Sequence, residues 1–136
     1  MQLDYKGKII SAQNKGELLS IVELGGYPDF SSLYKQAGFE VEKVDSVRKA
    51  VRVLKKLQPV VIVAEFNFQS DFRDRTSSLE TLMAVVQRMP ETKVIVFFEQ
   101  EYSHQFDKIR SRFPIYAAFP FPIDSQKLEN TLKKIS

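Results

Sequence analysis

The chain has no cysteine, a single histidine and only five glycines in 136 residues. Without cysteine there is no disulfide framework, no thiolate metal site and no thiol nucleophile, and a reducing compartment, the cytoplasm, is the expected setting. Residues 1–16 hold no apolar core of signal-peptide length. No later run approaches the roughly 20 apolar residues that a bilayer span requires. Neither a low-complexity stretch nor a Pro/Gly/Ser linker interrupts the sequence. Gly25-Gly26 stands without a Gly-x-Gly-x-x-Gly or Walker pattern around it, so it reads as a strand exit and not as a phosphate cradle. The lone His104 lies beside Ser103 with no triad partners in view, which leaves a surface residue. No catalytic set, cofactor or metal is expected.

What is present is an ordinary globular balance, 43% apolar and 27% charged, with a net charge of +3. The length suits one domain with one core. The basic residues gather once, at Arg48, Lys49, Arg52, Lys55 and Lys56. That cluster comes without a recognition motif or aromatic interleaving, so an exposed helix face accounts for it and no nucleic-acid partner is expected.

Strand-like and helix-like periods alternate along the rest. Leu18 to Leu24 is a short apolar run ahead of Gly25-Gly26, which predicts a buried strand. Phe30, Leu33, Tyr34 and Ala37 then follow one helix face, with Asp29 as its cap and Gly38 at its stop. Glu40 to Val44 alternates, as an edge strand does. Asp45 or Ser46 caps a helix whose stripe is Val47, Ala50, Val51 and Leu54. Val60 to Ala64 is β-branched and apolar on both faces, which predicts a central parallel strand. Ser77-Ser78-Leu79-Glu80 reads as a capping box. Lys93 to Phe98, a helix capped by Ser103 with Phe106, Ile109 and Phe113 inward, Ile115 to Phe119, and a last helix capped by Asp124 or Ser125 complete the series.

Five βα units imply an α/β fold, a doubly wound parallel five-stranded sheet in a three-layer α/β/α sandwich. Residues 17–136 form that domain, and residues 1–16 form an N-terminal extension, either an extra strand or flexible. Sites in such folds lie beyond the carboxyl ends of the strands, so Glu23, Glu65, Phe98 and the 119–122 segment should converge there.

Phe121-Pro122-Ile123-Asp124-Ser125-Gln126-Lys127-Leu128, after five βα units, resembles the last motif of response-regulator receiver domains, Lys-Pro-Ile/Phe-Asp-x-x-x-Leu. The resemblance covers Leu18 to Ile135 and implies the flavodoxin-like strand order 2-1-3-4-5. Receivers use two acids after the first strand to hold Mg²⁺ and an Asp at the end of the third to attack phosphorus. A hydroxyl after the fourth strand and the motif lysine neutralise the phosphoryl oxygens. Carried over, the acids fall on Glu23 and Leu24, the nucleophile on Glu65 with Asn67 two residues on, the hydroxyl on Phe98 and the lysine on Phe121. Shifting the register by two residues places Phe119 at the lysine position, so the ammonium is lost either way.

The resemblance therefore implies a pseudo-receiver of bacterial-type signalling, independent of phosphorylation and acting as a protein-protein interaction module. It would serve as a stand-alone adaptor or as one domain of a longer protein. Its partner, another protein or a second copy, would meet the face of the fourth helix, fifth strand and last helix, where Tyr102, Phe106, Phe113, Tyr116 and Phe119 gather. Two alternatives stay open. One is an atypical phosphoacceptor using Glu23 and Glu65 with Mg²⁺, and the other is a small-molecule sensor with its pocket near Phe98 and Phe121. Glu65 is also open to a role as a mimic of a phosphorylated aspartate, against the plainer reading of a carboxylate at a strand end.

Overall fold

The computed structural model describes residues 15–24, 26–67 and 78–135, together with the backbone of two short strands, β1 (Gln2–Leu3) and β2 (Ile9–Ile10), which pair antiparallel as a ribbon of their own. Segment 68–77, which holds Asp71, Arg73, Asp74, Arg75 and the Ser77 cap, lies outside the described residues, as does Gly25.

The main sheet consists of β3 (Gly16–Ile21), β4 (Phe39–Val44), β5 (Val61–Phe66), β6 (Lys93–Phe98) and β7 (Ala117–Pro120). All neighbours are parallel and the order is β4-β3-β5-β6-β7, which is 2-1-3-4-5 when the strands of this sheet are counted in sequence. The expected doubly wound receiver topology is therefore present. Because β3 lies between β4 and β5, the chain leaves β3 in one direction and later returns past it, and a crevice opens at the carboxyl ends where the winding reverses.

Side-chain alternation at period two divides the core. Leu18, Val61, Val63, Ile95 and Phe97 face α1 (Ser31–Gln36) and α5 (Ser125–Lys133), and meet Tyr34, Leu128 and Leu132. Leu19, Ile62, Ala64, Phe66, Val96 and Phe98 face the other way, toward α2 (Val47–Val53), α3 (Ser78–Val86) and α4 (Ser103–Arg110). Every residue of β5 is buried, as its two-sided apolar run predicts, whereas β4 at the edge keeps Glu40, Glu42 and Lys43 in solvent.

The caps follow the sequence closely. Ser46 Oγ accepts from Lys49 N at 3.1 Å, and Asp124 Oδ1 accepts from Gln126 N and Lys127 N at 3.0 and 3.1 Å. Asp29 acts just ahead of α1, accepting from Ser31 N and Ser31 Oγ. Gly38 ends that helix with φ +103°. Ser103 does not cap: a 3₁₀ turn over Gln100–Tyr102 leads into α4, and no side chain bonds its first turn. β7 is shorter than Ile115 to Phe119 would make it and starts at Ala117. The domain boundary drawn after residue 16 falls inside β3, where Gly16 has φ +110° and lies so close to Val60 that a Cβ would come within 2.5 Å of its Cγ2.

Candidate functional site

β3 is the element that departs most from expectation. It stops at Ile21 and not near Leu24, and Val22 N makes its last sheet contact, to Val44 O at 2.9 Å. The chain then bends toward the end of β5, where Glu65 is only 4% exposed. Glu65 Oε1 accepts from Glu23 N at 3.2 Å, Leu24 N at 3.3 Å and Asn67 Nδ2 at 3.3 Å. A carboxylate thus gathers two backbone amides that the sheet has released, which is why the strand ends early.

Glu23 lies in the same corner and its pKa is raised, first by burial and then by the charge of Glu65, with hydrogen bonds from Ser78 and Asn67 working against the rise. Leu24 points out and is 69% exposed. Glu23, Glu65 and Asn67 are therefore brought together, and Leu24 contributes to the group only through its backbone. Among the described residues no three His, Asp or Glu side chains gather as a metal site would need.

The two phenylalanines separate. Phe98 is buried and points toward α4, stacking on Phe106 with ring centroids 4.7 Å apart. Phe121 stands on the opposite side, 38% exposed, with its ring edge-on to Tyr27 at 5.7 Å and its N–H donated to Phe98 O. The Phe121-Pro122 peptide is cis. Phe98 at the end of β6 and Phe121 just past β7 thus face different sides of the sheet, and among the described residues they do not meet in one apolar pocket.

The sequence reading missed Tyr27. Its ring lies 5.6 Å from Phe97, its hydroxyl is buried with no hydrogen-bond partner among the described residues, and its pKa is pushed up by burial and by the charges of Glu99 and Glu65. The signal was a polar aromatic in the loop after the first strand, where the topology puts sites. Beside it opens a cavity of about 210 Å³ lined by residues that include Ser20, Tyr27, Phe30, Tyr34, Glu65 and Phe97, with Asp29 and Lys43 among its lining.

The expected interface needs correction. Phe106 is fully buried between Phe66 and Phe98, and Phe119 is buried against Phe97, so both are core residues and cannot meet a partner. An apolar ring at helical spacing looks the same in sequence whether it faces the sheet or solvent. Tyr116 is exposed, with Lys93 Nζ 5.8 Å from its ring centre, and Tyr102 and Phe113 are half-buried.

Comparison with solved structures agrees with the topology. A response-regulator receiver domain protein from Clostridium thermocellum superposes with a TM-score of 0.69 at 15% identity, over 88% of this chain and 93% of that one. The fold is that of a receiver domain. A chemotaxis response regulator of Vibrio cholerae gives a TM-score of 0.68 at 17% identity, over 89% and 98% of the two chains. A LuxR-family DNA-binding response regulator from Staphylococcus aureus gives 0.66 at 20% identity, over 88% and 98%. No family model matches the sequence, and no curated protein does. Within this receiver fold, Glu65 occupies the end of the third sheet strand and Glu23 the loop after the first, while phenylalanines occupy the ends of the fourth and fifth. Among the described residues no helix is long and apolar enough to cross a membrane.

Proposed function

We propose that this receiver-like domain is a phosphorylation-independent signalling module that performs no chemistry of its own and works by binding protein. The observation that carries the reading is the donor set on Glu65 Oε1. Three N–H groups point at Oε1, one of the two oxygens that a carboxylate here could offer to phosphorus or to a cation. N–H donors stabilise negative charge on an oxygen and lower its nucleophilicity, and they exclude a metal from the same lone pairs. Leu24 supplies hydrocarbon where a second metal-binding acid would stand. Phe98 and Phe121 offer neither hydroxyl nor ammonium to a phosphoryl group, and placing a dianion against them would carry a desolvation cost. Glu65 in this arrangement anchors the loop after β3.

Incubation with acetyl phosphate and Mg²⁺ followed by intact-mass measurement tests the first half of the reading, with no phosphoryl adduct expected. A stoichiometric adduct on Glu65 would overturn it. The binding half predicts that a specific partner, or self-association measured by sedimentation, is weakened by Tyr116→Ala. Affinity unchanged by that substitution would remove this face as the contact.

One observation supports a second reading. Glu23 and Glu65 are close enough for the charge of Glu65 to raise the Glu23 pKa, and a divalent cation would relieve that repulsion. A Mg²⁺ titration followed by heteronuclear NMR separates the readings: saturable shifts confined to residues 22–24 and 65–67 favour the atypical phosphoacceptor.

A further inference from the structure

The cavity beside Glu65 has a composition that the receiver-like site does not use. Four aromatic rings line it beside aliphatic residues: Phe30 and Phe97 lie 5.8 Å apart nearly edge to face, Tyr27 lies 5.6 Å from Phe97, and Phe30 lies 6.5 Å from Tyr34. The buried Glu65 and Ser20 also line it. Its charged lining residues are Glu65, Asp29 and Lys43, two acids against one base, and Lys43 is already paired to Asp29 at 3.2 Å. After burial, the charges of Glu99 and Glu65 raise the Tyr27 pKa, and those of Asp29 and Glu65 raise that of Tyr34. Both hydroxyls therefore stay protonated in a region of negative potential. The Tyr27 hydroxyl is buried and has no hydrogen-bond partner among the described residues, and an unsatisfied polar group of this kind is uncommon in a folded chain.

Aromatic faces carry negative quadrupoles and attract cations, most strongly when water is excluded, and a carboxylate beside them adds a full charge. An anion would meet the charges of Glu65 and Asp29, with only Lys43, already paired to Asp29, to offset them. A neutral apolar molecule would leave Glu65 and the Tyr27 hydroxyl without added partners. At about 210 Å³ the cavity is smaller than the sites that hold drug-sized ligands, which suits a small molecule. We infer that this cavity binds a small organic ammonium ion, with its cationic head among Tyr27, Phe30, Tyr34 and Phe97 and its charge balanced by Glu65. The inference does not depend on whether the domain accepts phosphate. Because Glu65 also holds the amides of Glu23 and Leu24, an occupant would be felt directly at the loop carrying the exposed Leu24.

Choline and its uncharged isostere 3,3-dimethyl-1-butanol, titrated into the full chain labelled with ¹⁵N, provide the test. Choline should shift the amide signals of residues 20–30 and 65 saturably at millimolar concentration, and the alcohol should bind at least about tenfold more weakly. Glu65→Gln keeps an acceptor for the three N–H groups but removes the charge, and should weaken choline by a similar factor. At the rim, Phe30→Trp should retain binding and Phe30→Leu should lose it, which keeps the test decisive if the Glu65 variant folds poorly. Equal affinity for choline and the alcohol overturns the inference. So does the absence of saturable choline binding, or binding unaffected by both Glu65→Gln and Phe30→Leu.

Discussion

Replacing Glu65 by Ala and by Gln gives opposite outcomes under the two roles the residue can have. If the side chain is an anchor, Glu65→Ala strips the partner from Glu23 N, Leu24 N and Asn67 Nδ2 in a partly buried corner. The three contacts are long, 3.2–3.3 Å, so each belongs at the weak end of the range for a charged acceptor. Water can reach part of the group once the carboxylate is gone. Together the loss is about 2–3 kcal/mol, to which removal of one buried methylene adds little beyond the scatter. Relief of the repulsion with Glu23 works in the opposite direction. For a chain of this length 1 kcal/mol moves Tm by roughly 3–4 °C, so Glu65→Ala should lower Tm by about 7–10 °C. Glu65→Gln retains an oxygen of the same reach and should cost under about 1 kcal/mol. Urea unfolding monitored by tyrosine fluorescence and by circular dichroism measures both, with an unchanged m-value confirming that only stability moved. A neutral or stabilising Glu65→Ala would refute the anchor. The carboxylate would then be a strained group kept for chemistry, as catalytic acids often are.

Other parts of the molecule give further expectations. A folded Glu23 pKa above its ordinary 4.5 means that the folded state holds this proton more tightly than the unfolded state. Stability therefore falls as pH rises from about 4.5 through the raised value, and Glu23→Gln should be the more stable protein at neutral pH, with the difference vanishing in acid. Asp29 behaves oppositely: bonds from Ser31 and from Lys43 lower its pKa to about 2, so what it contributes is present above 3.8 and is lost as pH falls toward 2. In Asp29→Asn that acid-dependent loss should be absent from a series of urea midpoints against pH. Phe106→Ala should cost about 3–5 kcal/mol in urea unfolding, because it empties a buried site stacked on Phe98, whereas Tyr116→Ala should change stability little. Gly16→Ala demands φ +110° of an L residue and pushes a methyl into Val60, and should lower stability by more than about 1 kcal/mol.

The amino-acid sequence by itself determined the order and kind of the elements, since local chemistry specifies them. The two-sided apolar run of β5, the alternation of β4 and the caps at Ser46 and Asp124 all rest on residues within a few positions of one another. The last motif, with that order, was enough to reach the receiver topology. The candidate site was legible as a set of positions at the carboxyl ends of the strands, and Glu23, Glu65 and Asn67 do meet there. Tertiary structure alone decided what those positions do. Whether Glu65 offers its oxygen outward or spends it on amides 41 and 42 residues earlier depends on where β3 stops, and no periodicity encodes that. The same holds for the phenylalanines. Sequence spacing places Phe98, Phe106, Phe119 and Phe121 near one end of the sheet, but the pleat sends Phe98 to Phe106 in the core and leaves Phe121 against Tyr27 at the surface. A cavity is shaped by elements distant in sequence, so the one formed by Tyr27, Phe30, Tyr34, Glu65 and Phe97 came into view only when β3, β5, β6 and α1 were brought together.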